Sequence, residues 1–401
     1  MKRAHIPRIL AIAIAATISG SRLAAQAAAG IPADLFLKPS GPHAVGVYDW
    51  LWVDSSRAER LTRDPSDKRH LPVQVWYPAE PVPDAKPARY IRTPAEFGPA
   101  STFKPWEHVT THAVDGAPLA AAGRKYPVLV YSHGAGWTRF SATFLTELLA
   151  SHGYVVFSID HPGLNRTSLF SDGVSFKADT LTMPAPDPKD MRATMARTME
   201  YLGGSSFPLW IEDSRYVLDR IEALNREPGP FKGRLDLGRL GMLGWSFGGA
   251  AAIEMLHLDR RVKAAVNHDG RLFGTVLTEP VKGPFMLFHH GLDDVASAPE
   301  AQRAAVREMF AEVAAYDSAL AARARGDWYD LTIARTNHGH FSDLPLFLKT
   351  FQDTSLVAPR RAHEMITTYT LAFFDRYLKG IKSPLLEAPS PDYPEIRFRR
   401  R

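Results

Sequence analysis

The segment Gly244-Trp245-Ser246-Phe247-Gly248 sets a serine between two glycines, directly after the apolar run Leu240 to Gly244 and directly before Gly249-Ala250-Ala251-Ala252. The first run reads as a strand and the second as the start of a helix packed closely enough to need small residues. A serine on such a strand-to-helix turn is held in a strained conformation that crowds the two elements together. The residues two before and two after it must therefore lack side chains, and Gly244 and Gly248 meet that need. The chemistry implied is nucleophilic: a serine hydroxyl attacks a carbonyl carbon once it has a base, a group that orients the base, and donors for the oxyanion.

Each partner can be sought by chain order. For a serine on such a turn the order is serine, acid, histidine, with the histidine after the last strand. Asn337-His338-Gly339-His340-Phe341 lies just beyond a strand ending near Ala334, and His338 is preferred over His340 as the base. One oxyanion donor is expected to be the backbone N–H of Phe247. The other should come from the glycine-rich loop Ser132-His133-Gly134-Ala135-Gly136-Trp137, where the N–H of Ala135 is best placed. The acid is open on pattern alone: Asp269 follows one strand, Asp293 and Asp294 follow the next, and both strand ends can reach the histidine. The cluster His289, His290, Asp293 and Asp294 suggests a metal at first sight, but neighbouring residues on a strand point to opposite faces. No metal and no cofactor is expected.

Positioning these groups requires a mostly parallel sheet covered by helices. Strands are expected over Val45–Val53 and Pro72–Tyr77, as an opening antiparallel pair, then over Pro127–Ser132, Tyr154–Ile159, Leu240–Gly244, Val262–Asn267, Pro284–His289 and Trp328–Ala334, eight in all. Helical patterns lie between them, and Met365, Tyr369, Phe373 and Tyr377 recur every four residues in the last. Two stretches read as insertions: Pro78 to Lys125, and His161 to Arg239 before the serine strand. The second is lid-like and carries an apolar knot, Phe207-Pro208-Leu209-Trp210, which either overhangs the pocket or packs in the core. Arg397-Phe398-Arg399-Arg400-Arg401 reads as a solvated tail.

The 401 residues hold no cysteine, 45% hydrophobic and 23% charged residues, the profile of a globular protein. The net charge of +5 includes Lys2, Arg3, Arg8 and Arg22, and only +1 remains beyond residue 27. No nucleic-acid footprint is implied. Lys2-Arg3, the apolar run Ile9 to Ile18 and Ala25-Gln26-Ala27 have the order of a secretory signal peptide over 1–27, so export is expected, with one catalytic domain over 28–401. No later segment is apolar enough to cross a membrane, and the oligomeric state is not legible.

At these residues the chain resembles the platelet-activating factor acetylhydrolase family of the lipoprotein-associated phospholipase type, and dienelactone-hydrolase-like α/β-hydrolases. The resemblance runs through Val75-Trp76-Tyr77-Pro78-Ala79, Tyr131 to Gly136, Ser151-His152-Gly153-Tyr154, Asp160-His161, Gly244 to Gly249, His268-Asp269-Gly270-Arg271-Leu272-Phe273-Gly274 and His338-Gly339-His340-Phe341-Ser342-Asp343. It implies the α/β-hydrolase fold, Ser246 as nucleophile, His338 as base and Asp269 as acid, with Ala135 and Phe247 supplying the oxyanion amides. It further implies a small-molecule or lipid ester as substrate, such as the acetyl ester of a modified glycerophospholipid. Trp245 departs from the mammalian members, which carry histidine there, and is expected to alter the pocket wall. A polyester- or cutinase-like esterase, an acyltransferase and a non-catalytic binding module are the alternatives on the same fold. The last would be expected to have lost Ser246 or His338, and both are present.

Overall fold

The computed structural model describes residues 35–60, 62, 64–97, 103–120, 124–163, 190–291, 296, 300, 303–351 and 353–401. The leader, residues 164–189 of the insertion, and both Asp293 and Asp294 lie outside the described residues.

The centre of the molecule is built from β5 (Tyr126–Ser132), β6 (Val155–Ile159), β7 (Leu235–Trp245), β8 (Val262–His268), β9 (Phe285–Gly291) and β10 (Trp328–Ala334). Every residue of β5 and β6 is buried, as expected for parallel strands covered on both faces. The antiparallel pair β1 (Ala44–Ala58) and β2 (Lys68–Ala79) joins through β2 to β6. On β5, Leu129 and Tyr131 feed one apolar cluster and Val128 and Val130 the other. Helices α1 (Thr143–Ser151) and α6 (Pro359–Phe374) cover the first face. The second is covered by α3 (Phe207–Leu224) and α4 (Phe247–Leu258), with α5 (Arg303–Arg323) adding Leu320. A further helix, α2 (Met191–Tyr201), leads through a π-helical turn, Leu202–Ser206, into α3. Pro208 in the first turn of α3 has no N–H to return to Gly204.

Among the described residues the sheet has eleven strands rather than eight, the three further ones being β3 (Pro87–Arg89), β4 (Thr110–Asp115) and β11 (Ile396–Arg400), in the order β11-β10-β9-β8-β7-β5-β6-β2-β1-β4-β3. Two of the additions, β3 and β4, lie in the stretch read as an insertion and extend one edge. β3, at three residues, is too short to show a strand pattern in sequence, and β4, Thr-Thr-His-Ala-Val-Asp, carries too few apolar residues to show one. The third, β11, corrects the reading of the C-terminus as a tail: it pairs antiparallel with β10, Phe398 opposite Leu331 and Arg399 opposite Asp330. Its arginines suit an edge that must not recruit another strand, and Arg399 ion-pairs with Asp330.

Strand β5 has β6 on one side and β7 on the other, so chain order reverses there. The crevice outside the carboxyl ends of β5 and β7 is where such sheets bind ligands. Ser132 at the end of β5 is level with Gly244 on β7, which brings the glycine-rich loop beside Ser246.

Candidate active site

Ser246 sits between β7 and α4 at φ +56°, ψ −121°, a conformation that costs an L-residue of order 1–3 kcal/mol. The neighbouring glycines explain how it is held. A Cβ on Gly244 would lie 2.4 Å from the backbone of Gly248, and one on Gly248 would lie 2.1 Å from the Ser132 carbonyl oxygen. A Cβ on Gly134 would meet the Trp245 ring at 2.9 Å and Ser246 Cβ at 3.2 Å, so the loop after β5 abuts the serine. Phe247 opens α4, so its amide belongs to the first turn and has no intrahelical acceptor. Ala135 follows Gly134 in the abutting loop.

Asp269, just past β8, is the second strained residue of the site, at φ +61°. Asn267 clamps its turn, accepting from Gly270 N–H and donating to Gly270 C=O, both at 2.7 Å. The Asp269 amide donates to Phe288 C=O at 2.9 Å, and the Ser246 amide to His268 C=O at 2.8 Å. Thus the serine turn and the aspartate turn are fastened to one another through adjacent strands. Sequence reading passed over Asn267; a polar residue at the buried end of a parallel strand was the available signal.

Asp269 and His338 meet although 69 residues apart: His338 Nδ1 is 2.6 Å from Asp269 Oδ2. A carboxylate oxygen only accepts, so the Nδ1 carries the proton and Nε2 is left with the lone pair. His338 stands beside the serine turn, its ring 5.2 Å from that of Trp245, whose Nε1 donates to the His338 carbonyl at 3.0 Å. Trp245 is buried and braces the histidine turn. His340 turns away. It closes a capping box with Asn337 and packs on Phe351, and burial lowers its pKa to about 4. Asp343, from the same turn, accepts from the amides of Thr143 and Phe144 at the start of α1 and from Tyr90 OH. Burial pushes its carboxyl up to about 7 against those three donors.

His290, weighed in the sequence only as a member of a metal-like cluster, joins the Asp269 carboxylate instead. Its Nδ1 also lies 2.6 Å from Asp269 Oδ2, and its amide donates to Oδ1 at 3.0 Å. Burial raises the Asp269 pKa, but the two imidazoles, His290 first, outweigh it and hold the carboxyl well below the ordinary range. The signal lay in the topology: β9 runs parallel to β8 with His268 level with Phe288, which carries His290 up beside the residue after β8. His289 points elsewhere, 3.6 Å from Asp330 and 3.9 Å from Asp317, as strand alternation requires. The ligand atoms of Asp269, His290 and His338 lie within 4.8 Å of one another, but the two Nδ1 atoms are already committed to Oδ2. In the knot at the start of α3, Phe207, Leu209 and Trp210 are buried and Pro208 is exposed, with Phe207 and Trp210 set edge-on to Phe247.

A strained serine on a strand–turn–helix, at the switch point of a helix-covered sheet, defines an α/β-hydrolase. The model of the alpha/beta hydrolase family matches residues 128–396, and the chain belongs to that family. Within it, residues 31–170 match the model of platelet-activating factor acetylhydrolase, isoform II. Among relatives, the chain is 26% identical over 297 residues to a "Probable 1-alkyl-2-acetylglycerophosphocholine esterase" of Arthroderma benhamiae, covering 68% of this chain and 66% of that protein. It is 27% identical to the platelet-activating factor acetylhydrolase of Cavia porcellus, covering 59% of this chain and 55% of the relative. The matches thus span somewhat under two thirds of these relatives. Among solved structures, a ferulic acid esterase from Streptomyces cinnamoneus superposes with a TM-score of 0.71 at 29% identity, covering 92% of this chain and 99% of that one.

Proposed function

We propose that the protein hydrolyses carboxylic esters through an acyl-serine intermediate. Ser246 Oγ bonds to the acyl carbon while His338 Nε2 takes its proton, and the oxyanion is met by the amides of Phe247 and Ala135. Collapse expels the alcohol, protonated by His338. Water, deprotonated by the same nitrogen, then releases the acid and restores the serine. Asp269 fixes the Nδ1–H tautomer and offsets the imidazolium charge. The steps need no cofactor. The observation that carries this reading is the Asp269–His338 bond standing beside a serine at φ +56°.

The favoured substrates are short acyl esters, including the acetyl ester of an alkyl glycerophospholipid. Support comes from the names of the relatives and the 31–170 match. A second reading, an ester of a hydroxycinnamic acid, is favoured by the ferulic acid esterase, which matches over nearly its whole length. A single catalytic domain over 28–401 is supported by the one eleven-stranded sheet among the described residues, and a leader over 1–27 with export by the order of Lys2-Arg3, Ile9 to Ile18 and Ala25-Gln26-Ala27; among the described residues no helix is long and apolar enough to cross a membrane. Turnover of p-nitrophenyl esters from two to sixteen carbons, beside an acetylated alkyl glycerophospholipid and methyl ferulate, tests the assignment. Preference for the acetyl substrates is expected, preference for methyl ferulate selects the second reading, and no turnover of any ester refutes both.

A further inference from the structure

Behind the oxyanion loop lies another serine–histidine–aspartate array, which the proposed reaction does not use. Ser132 Oγ is 2.9 Å from His161 Nε2, and His161 Nδ1 is 3.0 Å from Asp213 Oδ2. All three side chains are fully buried, so Ser132 meets no substrate and the array must be understood by what it holds in place.

Asp213 belongs to α3. Its carboxylate accepts from Arg69 Nε at 3.0 Å and Nη2 at 2.7 Å, and from Arg57 Nη1 at 2.9 Å. Burial opposes the charge on Asp213, but the Arg69 guanidinium outweighs it and holds the carboxyl well below the usual range. An ionised Asp213 takes the His161 Nδ1 proton as its hydrogen bond and leaves Nε2 to accept from the Ser132 hydroxyl. The His161 amide donates to His133 Nε2 at 3.2 Å, so His133 in turn carries its proton on Nδ1 and donates to the Gly134 carbonyl at 2.7 Å. That carbonyl also accepts from Trp137 N–H at 3.0 Å. A trans peptide is planar, with N–H and C=O opposed. Two donors on the Gly134 carbonyl therefore fix the direction of the Ala135 N–H, the amide assigned to the oxyanion. The same helix touches the other donor: Trp210, on α3, stacks on His161 at 4.0 Å and 12° and meets Phe247 edge-on at 4.7 Å.

We propose that His161 and Asp213 are positioning residues, which set the oxyanion loop from behind through Ser132 and His133 and tie its geometry to α3 of the insertion. The inference rests on the ester-hydrolase reading above. Loss of one oxyanion donor costs about 10²–10³ in kcat, and a donor that is misdirected rather than lost should cost a part of that.

Asp213 is a poor place to test this, because its removal leaves Arg69 buried without its main partner. His161→Phe keeps a ring against Trp210 and deletes both side-chain hydrogen bonds, whereas Ser132→Ala deletes one hydroxyl. Each is expected to lower kcat by about 10- to 10²-fold with little change in KM. The double variant should be no worse than the poorer single, since both cut one link. A trifluoromethyl ketone, whose serine adduct carries the oxyanion, should lose affinity in proportion to kcat. His161→Gln, whose side-chain oxygen can accept from Ser132, should recover part of the loss. Folded Ser132→Ala and His161→Phe proteins with wild-type kcat, losses that multiply in the double variant, or losses confined to KM would overturn the proposal; if His161→Phe fails to fold, Ser132→Ala decides alone. Ser246→Ala run in parallel keeps the claims apart. Activity surviving in Ser246→Ala sinks the ester-hydrolase reading, whereas an inactive Ser246→Ala beside an unaffected Ser132→Ala sinks only this inference.

Discussion

Asp269→Asn replaces one carboxylate oxygen by an amide nitrogen in a group that takes three hydrogen bonds. The His290 amide donates to Oδ1, while His338 and His290 both present Nδ1 to Oδ2. The backbone donor selects the side-chain oxygen of the asparagine for the Oδ1 position, so its NH₂ falls where Oδ2 was, facing two ring nitrogens. To accept from that NH₂, His338 must move its proton to Nε2, and the lone pair that would take the serine proton is gone. The imidazolium formed during reaction also loses its counter-charge, worth about 4 kcal/mol for unit charges about 4 Å apart at an effective dielectric of about 20, or roughly 10³ in rate. With the tautomer effect included, kcat near neutral pH is expected to fall by about 10⁴, while the near-isosteric change leaves the fold intact. His290→Phe removes the other imidazole but leaves the Asp269–His338 bond, so its cost should stay below about tenfold. The assay is p-nitrophenyl acetate turnover with thermal melting as the folding control, run beside Asp293→Asn and Asp294→Asn. If Asp269→Asn keeps about a tenth or more of wild-type kcat, or if Asp293→Asn or Asp294→Asn is the crippled variant, the assignment of the acid is wrong.

Gly248→Ala would set a methyl group 2.1 Å from the Ser132 carbonyl oxygen; because backbone must move, a loss of about 3 kcal/mol or more is expected, and an unchanged melting temperature would contradict the packing described. His363 is buried and donates from Nε2 to Ser342 C=O at 2.9 Å, and burial lowers its pKa to about 3. Its Nε2 must therefore carry the proton in the neutral ring. The unfolded chain takes up a second proton below about 6.5 and the folded one does not, so the stability present above pH 6.5 is lost as pH falls through the window from about 6.5 to about 3. Between pH 7 and pH 5 that loss is about 2 kcal/mol for this one group, and His363→Phe should lose about that much less than wild type in urea titrations; equal losses would refute it. EDTA should leave esterase activity unchanged, and a loss restored by zinc would turn Asp269, His290 and His338 into a metal site.

The site was legible where its constraint is local. Gly244, Ser246 and Gly248 show in sequence because the turn they form spans only five residues, although part of the crowding on Gly248 comes from Ser132 on the neighbouring strand, and β10 reads correctly because Tyr329, Leu331 and Ile333 alternate with Asp330 and Thr332. Longer-range geometry was not legible. Nothing near Asp213 announces that its partner is Arg69, 144 residues away, nor does His290 signal that it shares an oxygen with His338. At the C-terminus, the arginines of β11 dominate the composition and hide the alternation of Ile396 and Phe398, which only pairing with β10 makes meaningful. That Trp245 braces the His338 turn was likewise hidden, since the direction of a strand-end side chain depends on what packs above it.

The central claim is that Ser246 is the nucleophile, and a fluorophosphonate tests it most directly because the reagent marks a serine only where a base and an oxyanion site already activate it. Peptide mapping after reaction should find one adduct, on Ser246 and not on the buried Ser132, and Ser246→Ala should lose both the adduct and about 10⁴ to 10⁶ of kcat. An adduct on any other serine, or esterase activity surviving in a folded Ser246→Ala protein, would contradict the account.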